Sequence, residues 1–161
     1  MSEQQQQPQH FEIQRVYLKD VSLEAPNSPA IFTEQQWQPQ TEVRLETGAV
    51  PLSEDLFEVV LTLTVTAKIG ERTAYLTEVQ QAGLFTVRGF SDPQMGHMLQ
   101  AFCPNILFPF AREALASLIG KGGFPPLLLN PINFDGLYMQ RLQQQQQTQD
   151  GGMPFPPAAA H

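Results

Sequence analysis

The stretch Leu56–Ile69, LFEVVLTLTVTAKI, constrains the fold more than any other part of the chain. Its odd positions, Phe57, Val59, Leu61, Leu63, Val65, Ala67 and Ile69, are all apolar, while Glu58, Thr62, Thr64, Thr66 and Lys68 occupy even ones. Side chains alternate across a strand, so a period of two predicts a long strand with one face on a core and one in water. A sheet wetted on one side is typically antiparallel. Gly70 and Glu71 then read as a hairpin turn, and the β-branched and aromatic run Arg72–Arg88 as the returning strand. Residues 11–24 and 41–47 are two further strand candidates.

Helical signals follow the strands. Ser91 or Asp92 ahead of Pro93 predicts a helix start with proline at its first position. Leu107, Phe110, Ala111, Ala114 and Leu118 recur at helical spacing, and Gly120 reads as a stop. Pro104 is expected to break or restart this helix, and Pro109 to sit in a first turn or at a kink. Asn133 can cap a last helix with Asp135 in its first turn and Phe134, Leu137, Tyr138 and Leu142 as its apolar stripe. Strands followed by helices make an α+β domain.

Both ends are low in complexity: residues 1–10 are Gln-rich, and 148–161 are rich in Pro, Ala and Gly. Segments of that kind bury too little apolar area to offset ordering entropy, so disordered tails are expected around a domain spanning 11–147. The N-terminus has no basic or apolar region of a signal peptide, and no apolar run approaches the ~18 residues of a membrane span. The expectation is a cytoplasmic protein with no direct membrane insertion. Charged residues are 16% of the 161 and the net charge is −7. Nine acids face three bases between residues 12 and 58. With no basic face, nucleic acid is excluded as a partner and a basic protein segment is favoured.

Little here supports catalysis. Cys103 is the only cysteine and lies in the apolar stretch CPNILFPFARE; burial raises a thiol pKa, so a small buried hydrophobe fits it better than a nucleophile. His10, His97 and His161 are scattered, with no cysteine or histidine cluster for a metal. GKGG at 120–123 lacks the Ser or Thr that a phosphate loop needs after its lysine. Glu54–Asp55 reads as solvated charge. The chain is expected to be no enzyme and to need no cofactor. The loop 25–40 carries Ile31, Phe32 and Trp37, and two readings of it stand: side chains tucked onto the core, or an aromatic binding surface.

Four segments in order, QRVYLKDVSLEAPNSP (14–29), TAYLTEVQQAGLF (73–85), CPNILFPFARE (103–113) and NPINFDGLYMQRLQQQ (130–145), resemble the SecB protein-export chaperones over residues 11–147. The resemblance implies a four-stranded antiparallel sheet with helices on one face, assembled as a homotetramer, a dimer of dimers. It implies an ATP-independent holdase that keeps unfolded precursor proteins translocation-competent and delivers them to the SecA motor. Asp20, Glu24, Leu76 and Glu78 match the outer-face positions that meet the motor's basic tail in the family. Asp20 and Glu24 share one parity and Leu76 and Glu78 another shared face. Thr77, Val79 and Gln81 then point toward helices and subunit contacts, with Arg112 at a subunit border. A groove for unfolded polypeptide is expected from Tyr17, Trp37, Val43 and Leu45, with Phe124, Leu127, Phe134, Leu137 and Tyr138 on its other wall.

Overall fold

A computed structural model describes residues 7–150. Four strands, β1 (His10–Glu24), β2 (Gln40–Pro51), β3 (Leu56–Ile69) and β4 (Arg72–Arg88), form one antiparallel sheet in the order β1-β4-β3-β2. Ile69 pairs with Arg72, which leaves Gly70 and Glu71 as the expected turn. Gly70 has φ 62, a left-handed value that glycine adopts without a Cβ penalty. The odd residues Val59, Leu61, Leu63, Val65 and Ala67 are all buried, as the alternation predicts.

One long helical segment follows: α1 (Asp92–His97), a π-helical turn (Met98–Phe102) and α2 (Cys103–Lys121). Ser91 begins it, with its backbone N–H donating to Gln94 Oε1 at 3.1 Å; Pro93 falls in the first turn, one place after the expected first position. Pro104 does not break the helical segment; it stands in the first turn of α2, the restart that the sequence allowed. The Cys103 N–H donates to the Met98 carbonyl five residues back, so the backbone widens into a π turn just where Pro104 has no N–H to give. Pro109 likewise lies inside α2, and the helix passes Gly120 to end at Lys121, with the left-handed turn at Gly123. The last helix, α3 (Phe134–Asp150), is capped as expected by Asn133, whose Oδ1 accepts from the Gly136 N–H at 3.0 Å.

The tail boundaries shift slightly. His10 already belongs to β1, and α3 carries through Thr148 to Asp150. Positions 1–6 and 151–161, where disorder is expected, lie outside the described residues.

The core lies between the inner sheet face and the helices. Leu107, Ala111, Leu115 and Ile119 of α2 are buried with Val79, Phe85 and Val87 of β4. Gly83 permits that approach: a Cβ there would stand 3.1 Å from Leu107 Cδ2 and 2.6 Å from the Phe85 ring. The helices cover β4 and β3; apart from half-buried Phe11, Val16 and Leu23, they leave the inner face of β1 open. Its inner-face residues Ile13, Leu18 and Val21 remain exposed, as do Phe102 and Phe110 of the helical segment.

Candidate functional site

Three places bring the sequence-predicted residues together, and one of those residues is displaced from the rest. The first place is an aromatic cradle on the inner side. Phe124 is its floor, with ring centroids of Tyr75, Phe32 and Trp37 at 5.0, 5.2 and 5.5 Å. Trp37 lies nearly parallel to Phe124 and is half-buried; Ile31, on a 3-10 turn spanning Ala30–Thr33, is buried. Both readings of the 25–40 loop therefore apply: Ile31 anchors it in the core, while Phe32 stays exposed and Trp37 half so. The Arg72–Glu34 ion pair ties the loop to β4. Val43 and Leu45 of β2 pair with Val65 and Leu63, which places them on the same inner face beside the cradle. Leu127 packs on the core nearby in sequence, and Leu128 is strongly exposed. Tyr75 joins this cradle without having been expected in it, and Phe32, expected only as part of an aromatic loop surface, joins it too. Their signal was faint: Phe32 is apolar in a polar loop, and Tyr75 is one aromatic among several in a strand.

Phe134, Leu137 and Tyr138 form a second place. Phe134 meets Phe108 edge to face at 5.9 Å, and the Tyr138 hydroxyl sits where a Cβ on Gly96 would be 2.7 Å away. Phe134 and Tyr138 are buried and Leu137 half-buried. These residues hold α3 against the helical segment, aided by His97 Nε2 with Asp135 Oδ1 at 2.6 Å, while Arg141 ties α3 to β2 by donating to Thr47 Oγ1 at 3.0 Å. Phe134 and Tyr138 are thus anchors of α3, not an open groove wall.

The third place is the outer sheet face. Asp20, Ser22 and Glu24 pair with Gln80, Glu78 and Leu76, so the four expected outer-face residues do lie together. Thr64 donates to Glu78 Oε2 at 3.3 Å across the next strand. Tyr17 belongs to this face too, opposite Ala82, and so is separated from Trp37 by the thickness of the sheet. The cause is a bulge at Lys19: Leu18 pairs with Gln81 and Asp20 with Gln80, leaving Lys19 unpaired and shifting parity by one. The Tyr17 hydroxyl donates to Glu58, and Lys19 Nζ donates to Glu58 Oε1 at 2.7 Å. Desolvation, then the hydrogen bond to Glu58, pushes the Tyr17 phenol up to about 12. The hydrogen bonds from Lys19 and then Tyr17 hold the Glu58 carboxyl below its usual range.

Thr77, Val79 and Gln81, expected at subunit contacts, are buried within the chain itself. Thr77 Oγ1 donates to the Ser22 carbonyl at 2.8 Å and Gln81 Nε2 to the Tyr17 carbonyl at 3.0 Å. Arg112 lies over the Phe108 ring, 5.6 Å from its centroid. Cys103 is buried, and desolvation pushes its thiol up to about 12, so no thiolate is available near neutral pH. Among the described residues no three acidic, histidine or cysteine side chains are gathered to hold a metal, and no helix is long and apolar enough to cross a membrane.

Comparison with known proteins gives one answer. The family model for SecB, described as preprotein translocase subunit SecB, matches residues 3–145. The protein-export protein SecB of Methylococcus capsulatus is 57% identical over 148 residues, covering 91% of this chain and 95% of that one. Among solved structures, the SecB-like chaperone Rv1957 of Mycobacterium tuberculosis, in complex with a ChAD peptide from the Rv1956 HigA1 antitoxin, shares the fold at a TM-score of 0.64 and 17% identity. The match covers 76% of this chain and 90% of that one.

Proposed function

The chain belongs to the SecB family of protein-export chaperones, not to an enzyme family, and from that premise we propose that it is an ATP-independent cytoplasmic holdase. It captures unfolded precursor proteins and passes them to the SecA motor. The observation that carries this reading is the cradle of Phe32, Trp37 and Phe124, in which Phe32 is exposed and Trp37 half-buried, on the same inner face as exposed Val43 of the edge strand β2. A holdase needs apolar surface that is accessible yet shielded from its own kind. Burying one large apolar client side chain there is worth roughly 1.5–3 kcal/mol. Several such contacts along an extended segment add through effective concentration. Because only the unfolded form exposes those side chains, binding withdraws it from the folding equilibrium. The peptide bound by the mycobacterial chaperone is consistent with polypeptide as the ligand.

The contact residues of this groove are Trp37, Val43, Leu45 and Leu127, with Phe32 and Leu128 added and Phe124 as the floor. Tyr17 leaves the groove because it lies on the other face. Phe134, Leu137 and Tyr138 act through α3, whose position they fix.

The outer face serves the motor. Asp20, Glu24 and Glu78 offer carboxylates to a basic segment, and exposed Leu76 adds an apolar contact. The subunits assemble as a dimer of dimers, with the open inner face of β1 as the surface that a second copy covers. Thr77 and Gln81 affect assembly through the β1 backbone that they bind, and Arg112 remains at the border of the helical contact.

The test is direct. The purified protein is mixed, without nucleotide, with one protein in reduced, unfolded form and in folded form, and complexes are separated by size. Stable complexes with the unfolded form alone are expected; equal binding to both, or to neither, overturns the holdase reading.

A further inference from the structure

The acids of the docking face owe their orientation to a defect in β1. Tyr17 and Asp20 are three residues apart, so in an unbroken strand they would point to opposite faces. They share the outer face only because Lys19 is an extra, unpaired residue between them. The same shift turns Val21 and Leu23 inward, opposite Val79 and Thr77.

The bulge is held from both sides of the sheet. On the outer face Glu58 of β3, whose partner on β4 is Leu84, reaches across β4 to accept from both Tyr17 and Lys19. The Glu58 carboxylate is well shielded, with 16% of its side chain exposed, whereas Lys19 is 47% exposed. On the inner face the buried Gln81 amide donates to the Tyr17 carbonyl, at the residue where the register changes. A strand edge with a free register is prone to slip, and a slip of one residue here would turn the acids onto the inner face, where a second copy is proposed to sit, and Val21 and Leu23 onto the outer face.

We propose that Tyr17, Lys19 and Glu58 form a clamp, backed by Gln81, that locks the Lys19 bulge and thereby presents Asp20, Ser22 and Glu24 to the basic partner. Tyr17, Lys19, Glu58 and Gln81 are positioning residues: they act on the partner through the strand that they hold. This inference rests on the proposed docking of the SecA motor on the outer face.

The test uses the full chain, with three readouts: affinity for purified SecA, capture of a reduced unfolded protein, and the thiol-labelling rate of Ser22→Cys. Buried Cys103 leaves the introduced cysteine as the reactive one. Glu58→Gln keeps the shape of the side chain and removes the ion pair. It is expected to weaken SecA binding about tenfold and to slow labelling at position 22, with client capture unchanged. The exchange Lys19→Glu with Glu58→Lys preserves net charge and restores the pair; it is expected to recover both SecA affinity and labelling rate. Failure of the exchange to recover affinity while labelling recovers would make Glu58 a direct contact and overturn the positioning role. Asp20→Asn with Glu24→Gln separates the two layers of the argument. If this pair abolishes SecA binding while Glu58→Gln changes neither affinity nor labelling, docking stands and the clamp falls. If the pair leaves SecA binding intact, the docking reading falls, and an unchanged labelling rate in Glu58→Gln would then overturn the clamp as well.

Discussion

Val21 and Val43 occupy equivalent places on opposite edges of one sheet. Each lies on the inner face of an edge strand, and they are 45% and 42% exposed. Their surroundings differ. Val21 belongs to a row with Ile13 and Leu18, all exposed, with no helix above them. Val43 adjoins half-buried Leu45 and the aromatic cradle floored by Phe124, on a strand whose outer face carries Glu42, Arg44 and Glu46 and which ends at Pro51. The first is a continuous apolar strip, the kind of surface that a rigid, self-complementary partner covers. The second joins exposed Val43 to a cluster of rings in which Phe32 is exposed and Trp37 half-buried, a surface that admits a passing side chain. On the proposed reading, one sheet separates contact between copies from contact with clients by what lies above each edge.

The comparison breaks first if the cradle is not a built structure. Phe124→Ala removes a buried ring that touches three others, so it is expected to destabilise the fold by about 3–5 kcal/mol in urea unfolding. A loss under about 1 kcal/mol would show that the cradle is loosely packed and carries no defined pocket. The paired substitutions Val21→Glu and Val43→Glu then sharpen the contrast. Val21→Glu puts a charge into the proposed contact between copies and is expected to weaken self-association on the order of 100-fold in sedimentation, with client capture per chain reduced far less. Val43→Glu is expected to leave the assembly intact and to weaken capture of an unfolded protein about tenfold. Reversed effects would exchange the roles of the two edges.

The smallest expected effect is that of pH on the Lys19 bulge. Glu58 has a depressed folded pKa, so its contribution is complete above the ordinary carboxylate range and is lost as pH falls through the folded value. The Tyr17 phenol is raised to about 12, so it stays protonated and bonded through neutral pH and yields only in strong alkali. The backbone amide signals of residues 17–19 are therefore expected to move further at acid pH in the parent than in Glu58→Gln.

The two edges also explain what could be read from the sequence. The β3 alternation holds without interruption, so its burial followed residue by residue from period two. In β1 the inward residues are Phe11, Ile13, Val16, Leu18, Val21 and Leu23, at intervals of two, three, two, three and two. Each interval of three coincides with a bulge, at Gln14 and at Lys19. A strand with two register shifts does not announce its faces by parity, which is why Tyr17 was expected beside Trp37. Asp20, Glu24, Leu76 and Glu78 came out together because no bulge lies between the members of either pair. Phe134 and Tyr138 were apolar in the right stripe, but only the packing of α3 decides whether such a stripe faces a groove or a core. Pro104 shows the same limit: the local rule forbids an ordinary α-helix there, and the chain met the rule by widening one turn.

Backbone hydrogen exchange of the assembled protein, followed with and without a reduced unfolded client, tests the division of labour between the edges most directly. Residues 13–21 are expected to be protected before client is added and to change little afterwards. New protection is expected at 37–45 and 124–128. Client-dependent protection on β1, with none around the cradle, would contradict it.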